Sequence, residues 1–201
     1  MARVKWLSIG LKGFGRYRSG VQVQLTDGLN ILTAPNEAGK STLVAGLRAV
    51  LFGLPSSSNP NQFGTDRYCC WEEAGAFEGE VVFAVDDRRY RVKRNFQNHR
   101  VELAQEKAGE WEVLFRGEHN PRAHKDAGVY AGYLKELIGI TTGEAFAGTF
   151  CVEQPLPEGD QLSEHVQSLL SGSGGHFGQA LEQLKNELSQ ITRFLKQYGF
   201  P

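Results

Sequence analysis

The nine residues Ala34-Pro35-Asn36-Glu37-Ala38-Gly39-Lys40-Ser41-Thr42 constrain this chain more than any other stretch. They read A-x-x-x-x-G-K-S-T. A short apolar run, Asn30-Ile31-Leu32-Thr33, stands before them, and Leu43, Leu47, Val50 and Leu51 follow at helical spacing. Strand, tight turn and helix is the layout of an anion site, because N–H groups at the helix N-terminus face the ligand and the helix dipole favours negative charge. In a phosphate loop each residue type has a task. The turn presents backbone N–H groups to the phosphates, the lysine (Lys40) reaches the β- and γ-phosphates, and the hydroxyl (Ser41) ligates Mg²⁺. Ala34 stands where that pattern usually has its first glycine, and it narrows the backbone conformations open there.

The remaining sequence predicts an α/β chain with α+β character. Residues 3–9 alternate loosely and read as a first strand, residues 10–20 as a Gly- and Arg-rich turn, and Val21, Val23 and Leu25 as a second strand. Gly53-Leu54-Pro55 ends the helix after the phosphate loop, and the Ser/Asn/Pro-rich stretch 56–64 reads as a mobile loop. Residues 78–85 and 89–96 form a predicted hairpin about Asp86-Asp87-Arg88. Strands at 101–103 and 111–115 and helices over 129–138, 142–150 and 163–170 follow. The expected sheet is mixed, with an antiparallel portion beside a β–loop–α unit.

Phe177, Leu181, Leu184, Leu188, Ile191, Leu195 and Tyr198 are spaced alternately four and three apart, the seam of a heptad repeat. Either a coiled coil or an amphipathic helix packed on its own domain fits a seam this short. Its position at the end of the chain points to a longer parent sequence. The expected division is residues 1–172 as one lobe and 173–201 as a connector and the start of a coiled-coil helix.

Composition sets outer limits. With 201 residues, 40% apolar and 22% charged, the chain has the makeup of a globular protein and the length for one large domain or a domain with an appendage. It has no apolar run long enough for a bilayer, no signal-peptide pattern and three cysteines without disulfide or zinc spacing, so the expected setting is cytoplasmic and off the membrane. A net charge of −1 confines any DNA-binding surface to a local patch. Arg89, Arg91 and Lys93 alternate on one strand, and Arg94, His99 and Arg100 extend them. They read either as a phosphate-contacting patch or as a solvated edge face. Arg122, His124 and Lys125 are equally open.

Four segments carry a resemblance: Gly13-Phe14-Gly15-Arg16-Tyr17 followed by the Asp27-Gly28-Leu29-Asn30 turn; Pro35 to Thr42 running into Leu51-Phe52-Gly53-Leu54; Arg67-Tyr68-Cys69-Cys70-Trp71; and Phe150-Cys151-Val152-Glu153-Gln154. Together they resemble the N-terminal lobe of an SMC-like ATPase head of the SbcC kind, in its YhaN-type branch, an ABC-class P-loop NTPase of DNA double-strand-break repair. The resemblance implies an ATP and Mg²⁺ site. Asn36, Glu37, Ala38, Gly39, Lys40, Ser41 and Thr42 would hold phosphates, Arg16 would lie near the nucleotide, and Gln154, as the Q-loop residue, would join Ser41 near the metal. The partners it implies are a C-terminal lobe carrying the signature and Walker B motifs, a second head paired on ATP binding, an SbcD-type nuclease and DNA. It also implies a nucleoid-associated location.

Two look-alikes separate from that pattern. Val81 to Asp87 has the apolar run and acids of a Walker B strand, but Arg88 to Val92 return at once, so a hairpin turn explains the acids. Leu170-Ser171-Gly172-Ser173-Gly174-Gly175 resembles a signature loop, yet a heptad helix follows it rather than an apolar strand ending in Asp-Glu. With both set aside the chain has no catalytic carboxylate. The expectation is an ATP-binding half-site with negligible turnover of its own. The alternative of an ABC-type transporter subunit shares the phosphate loop and Q-loop but would continue into a signature motif. A small-molecule kinase would need an acceptor site and an Arg-rich lid that the sequence does not offer.

Overall fold

The computed structural model describes residues 3–57, 59, 61–69, 75–121 and 127–151. The chain divides into two compact units, Met1–Phe146 and Ala147–Pro201. Gln154, the 163–170 helix, the heptad segment and residues 122–125 lie outside the described residues.

Alternating sequence becomes alternating faces. The strands are β1 (Val4–Lys12), β2 (Val21–Gln24), β3 (Glu78–Val85), β4 (Arg88–Asn95), β5 (Arg100–Lys107) and β6 (Glu110–Glu118). They form one sheet in the order β2-β1-β3-β4-β5-β6, with every neighbouring pair antiparallel. Helix α1 (Lys40–Phe52) packs on β1, β3 and β4. It lies against the face that carries Leu11, Val81, Phe83 and Val92. Small residues permit the approach: a Cβ on Gly46 would overlap the Leu11 side chain, and one on Gly79 would stand 2.5 Å from Val50 Cγ2. The helices α2 (Thr65–Tyr68), α3 (Ala127–Ile138) and α4 (Gly143–Phe150) complete the described elements. The Thr142 hydroxyl accepts the Ala145 N–H at 3.2 Å and so caps the start of α4.

Two aromatic clusters fix the sheet's surroundings. Phe14, wholly buried, stacks on Tyr68 at 4.9 Å between ring centres and also meets Phe77 and Phe96. Phe146 of α4 packs edge-on against Trp6 of β1 and against Phe52 of α1. Such pairs add to the area they bury.

Apart from residues 30–33, the expected strands are present, with β1, β5 and β6 longer than the sequence suggested; the hairpin, the helix after the phosphate loop and the helices expected over 129–138 and 142–150 are present too. Asp86 and Asp87 do occupy the β3–β4 turn, and Asp86 takes φ +52 there.

Two expectations are corrected: residues 30–33 are not a strand, and the described sheet is antiparallel rather than mixed. The Asn30 side chain instead closes a local turn, accepting from Thr26 N at 2.9 Å and donating to Thr26 O at 2.8 Å. Asparagine offers the backbone this alternative wherever no ladder competes for it. No described strand pairs with Ile31 or Leu32, and both side chains are exposed.

Candidate phosphate-binding site

Helix α1 starts on Gly39, which takes the left-handed conformation at φ +100 and offers no side-chain cap. The first intrahelical bond runs from Leu43 N to Gly39 O at 3.0 Å. The N–H groups of Lys40, Ser41 and Thr42 precede it and have no carbonyl within the helix. No acidic residue occupies the first turn to absorb their partial charge. Residues 33–38 and Ser41 are exposed, and Lys40 and Thr42 are half-buried. The Lys40 ammonium folds back over the loop and donates to Ala34 O at 2.7 Å and Pro35 O at 2.8 Å. An incoming anion that meets Lys40 would replace two neutral carbonyls with a charged acceptor, the stronger kind of bond.

Asn36, Glu37 and Ala38 form the loop between Pro35 and Gly39. Ala38 N donates to Pro35 O at 3.3 Å, and Glu37 sits at φ +63, an unusual conformation for a residue with a side chain. Ser41 is exposed on the first turn. Thr42 faces inward, and a Cβ on Gly15 would stand 2.7 Å from its Cγ2. Arg16 reaches the loop from the β1–β2 connection and pairs with Glu37 at 3.3 Å, with both side chains largely exposed. The structure thus places Arg16 beside the 36–42 loop, through its pair with Glu37. Among the described residues no group of three or more His, Cys, Asp or Glu side chains could cage a metal ion.

The sequence alone assigns Tyr17 no role, although it lies in the Gly13–Tyr17 segment. The Tyr17 hydroxyl donates to Gly39 O at 2.9 Å. Burial pushes this phenol's pKa above its ordinary value.

The basic strand divides by parity. Arg89, Arg91 and Lys93 are on one face, and each meets an acid on a neighbouring strand: Glu106 at 3.0 Å, Glu102 at 3.4 Å and Glu80 at 3.2 Å respectively. Glu102 also takes Arg116 at 2.6 Å. Burial alone would raise the Glu102 carboxyl, but the bonds from Arg116 and Arg91 outweigh it and hold the pKa low. The Arg91 guanidinium also lies 4.6 Å over the Trp111 ring. This is a cross-strand ion-pair face, in which anions neutralise the cations.

Arg94, read from sequence as part of that patch, is on the opposite face and is buried. It shares parity with Tyr90 and Val92, so the alternation itself contained the signal. Its guanidinium donates to Val50 O at 2.8 Å, Leu51 O at 3.2 Å and His119 O at 3.0 Å. Those first two carbonyls belong to the last turn of α1. Burial lowers the Arg94 pKa from its ordinary value, but a guanidinium keeps its charge in proteins.

The outer sheet face holds a groove of about 690 Å³, lined in part by Lys12, Gln22, Glu78, Glu80, Arg100 and Arg116. None of residues 33–42 lines it.

Among the described residues no helix is long and apolar enough to cross a membrane. Comparison with known proteins finds a relative in Methanopyrus kandleri, the "DNA double-strand break repair Rad50 ATPase". It is 28% identical over 138 residues, 64% of this chain and 15% of the relative. The chain thus matches a small part of that protein's length. The AAA domain family matches residues 8–198, nearly the whole sequence. The chain belongs to the AAA domain family.

Proposed function

We propose that this chain binds ATP at the Ala34–Thr42 loop and works as the ATP-binding part of a DNA-repair ATPase head. The observation that carries the reading is Lys40, poised on the Ala34 and Pro35 carbonyls at a helix N-terminus with no acid in its first turn. A positive end, free N–H groups and a lysine that can change partners suit a polyphosphate. Family membership and the name of the archaeal relative supply the nucleotide and the repair role.

In this reading Asn36, Glu37, Ala38 and Gly39 shape the cradle, Lys40 and Thr42 contact phosphate, and Arg16 exchanges Glu37 for the nucleotide. Ser41 would offer Mg²⁺ one oxygen, with phosphates, water and the Gln154 side chain available for the rest. That suits a small hard cation which keeps its water and is seldom held by protein ligands alone. Gln154 would add a group near the metal and the γ-phosphate.

The remaining partners belong to the same proposal. Leu29 is 86% exposed and Ile31 75%. Together with Leu32 they form an apolar segment immediately before the loop, suited to pairing with strands of a C-terminal lobe. Hydrolysis is assigned to a site completed by that lobe and by a second head paired on ATP. An SbcD-type nuclease and DNA would be the downstream partners. Because Arg89, Arg91 and Lys93 are matched by acids, DNA contact is assigned to the assembled protein rather than to this strand face.

Calorimetric titration with Mg-ATP tests the central claim. The wild-type chain should bind, and Lys40→Ala should weaken binding at least about tenfold, near 1.4 kcal/mol, while remaining folded. A wild-type chain that binds no Mg-ATP would refute the reading.

A further inference from the structure

We propose that Tyr17 is a positioning residue whose hydroxyl aims the Lys40 backbone N–H at the bound phosphate. The inference rests on the nucleotide-binding reading above and adds a residue outside the loop to the machinery that makes it work.

The argument starts from the peptide plane. The Gly39 carbonyl and the Lys40 N–H belong to one planar trans peptide, so they point in opposite directions and turn together. Two donors converge on that carbonyl oxygen: the Tyr17 hydroxyl at 2.9 Å and Leu43 N at 3.0 Å. The Leu43 bond is the ordinary first bond of the helix. The Tyr17 bond comes from outside it and fixes the remaining freedom of the plane. With the oxygen held from two sides, the Lys40 N–H is directed out of the helix N-terminus, where an anion would sit.

Glycine makes this restraint necessary. Gly39 has no side chain to limit its rotation, and at φ +100 it occupies a region that other residues rarely use. Substituting Gly39 would not remove the need, because a Cβ there would stand 3.0 Å from Tyr17 Oη and 3.1 Å from Cζ. Loop and tyrosine are therefore fitted to each other.

Tyr17 can aim the peptide because its own backbone is fixed. Tyr17 N donates to Phe14 O at 2.9 Å, Tyr17 O accepts from Gly13 N at 2.9 Å, and Gly15 N donates to Tyr68 O at 2.7 Å. Phe14 anchors the turn in its aromatic cluster with no exposed surface. Gly15 abuts Thr42 of α1. A phenol is protonated, hence a donor, at neutral pH, and burial shifts its pKa further upward.

Tyr17→Phe keeps the ring and deletes only the hydroxyl. The test compares wild-type and Tyr17→Phe full chains by calorimetry, with Mg-ATP and with Mg-tripolyphosphate as separate probes. The backbone amide resonance of Lys40 in the free proteins and the thermal midpoint complete it. The expected result is roughly three- to tenfold weaker binding of both probes, the scale of one hydrogen bond. A displaced Lys40 amide resonance and a midpoint within a few degrees of wild type are expected alongside. The proposal is overturned by unchanged affinity for both probes, by a loss confined to ATP, by an unmoved Lys40 amide, or by a loss that merely tracks the unfolded fraction. If the wild-type chain binds neither probe, the nucleotide reading fails and this inference with it. If the wild type binds and Tyr17→Phe is unaltered, only the role of Tyr17 is refuted.

Discussion

Arg94 Nε donates to the Val50 carbonyl at 2.8 Å in a buried site, so a guanidinium from the fourth strand closes the last turn of the helix that begins at Lys40. Helix α1 carries no basic residue in its own last turn. Arg94 supplies that charge from the sheet, facing the negative end of the helix dipole. It also ties in His119 through the carbonyl at 3.0 Å and Nδ1 at 3.3 Å, while Tyr130 donates its hydroxyl to Leu51 O at 2.9 Å. The positive end of the helix is left for an anion and the negative end is satisfied internally.

Arg94→Met should therefore destabilise the chain by about 1–3 kcal/mol, the cost of leaving buried acceptors without their donor. Val50, Leu51 and His119 would each lose a donor in a dry site. Arg94→Lys should recover only part of the loss, since one ammonium cannot span the same acceptors. Urea unfolding of the three proteins measures this, and a change under 1 kcal/mol for Arg94→Met would contradict it.

The same network makes stability depend on pH. Burial and the Arg94 charge lower the His119 pKa from 6.5 to about 4. The unfolded chain thus takes up this proton near pH 6.5, but the folded chain does so only near 4. The contribution is fully present above pH 6.5 and is lost as pH falls toward 4, on the order of 2–3 kcal/mol in all. His99, also lowered by burial and by Arg94, acts in the same direction. In His119→Asn the amide oxygen can accept from Arg94 without titrating. Urea midpoints across this window should fall less steeply for that variant than for wild type, and parallel profiles would be the contrary result.

Gly46→Val should lift α1 from the sheet, because any Cβ there overlaps the Leu11 side chain. Overpacking of this kind costs about 1–3 kcal/mol. A lower denaturation midpoint with an unchanged denaturant slope is expected. Gly109→Ala is a useful contrast: open space surrounds its Cβ but φ is +85, so its cost would come from backbone strain alone.

The exposed segment before the loop predicts association. Leu29→Ser with Ile31→Ser should leave stability within about 0.5 kcal/mol, as expected for exposed positions. It should also weaken concentration-dependent self-association of the chain, because apolar surface is removed. Sedimentation velocity distinguishes the two proteins, and a wild-type chain that stays monomeric at its highest soluble concentration would refute this.

Much of the candidate site is legible along the chain, because the proposed phosphate loop is local. Gly39, Lys40, Ser41 and Thr42 follow one another, and a helix N-terminus needs only the residues that form it. Asp86 and Asp87 were legible as a turn for the same reason, since the return strand Arg88 to Val92 is adjacent. The apolar run 30–33 misled because apolar character states a need for burial without saying what will provide it. Among the described residues no neighbouring strand does so, and Asn30 folded onto Thr26.

Tertiary structure alone decided the roles of Tyr17 and Arg94. Tyr17 lies 22 positions from Gly39 and Arg94 lies 44 from Val50. Periodicity can assign such residues to a face but cannot name a partner on another element. The sequence by itself determined that a loop of this chemistry opens a helix, because hydrogen bonding within a few residues dictates it. Only packing of the β1–β2 turn and the fourth strand against that helix decided how its two ends are held, because bonds that span the fold exist only after the sheet has formed.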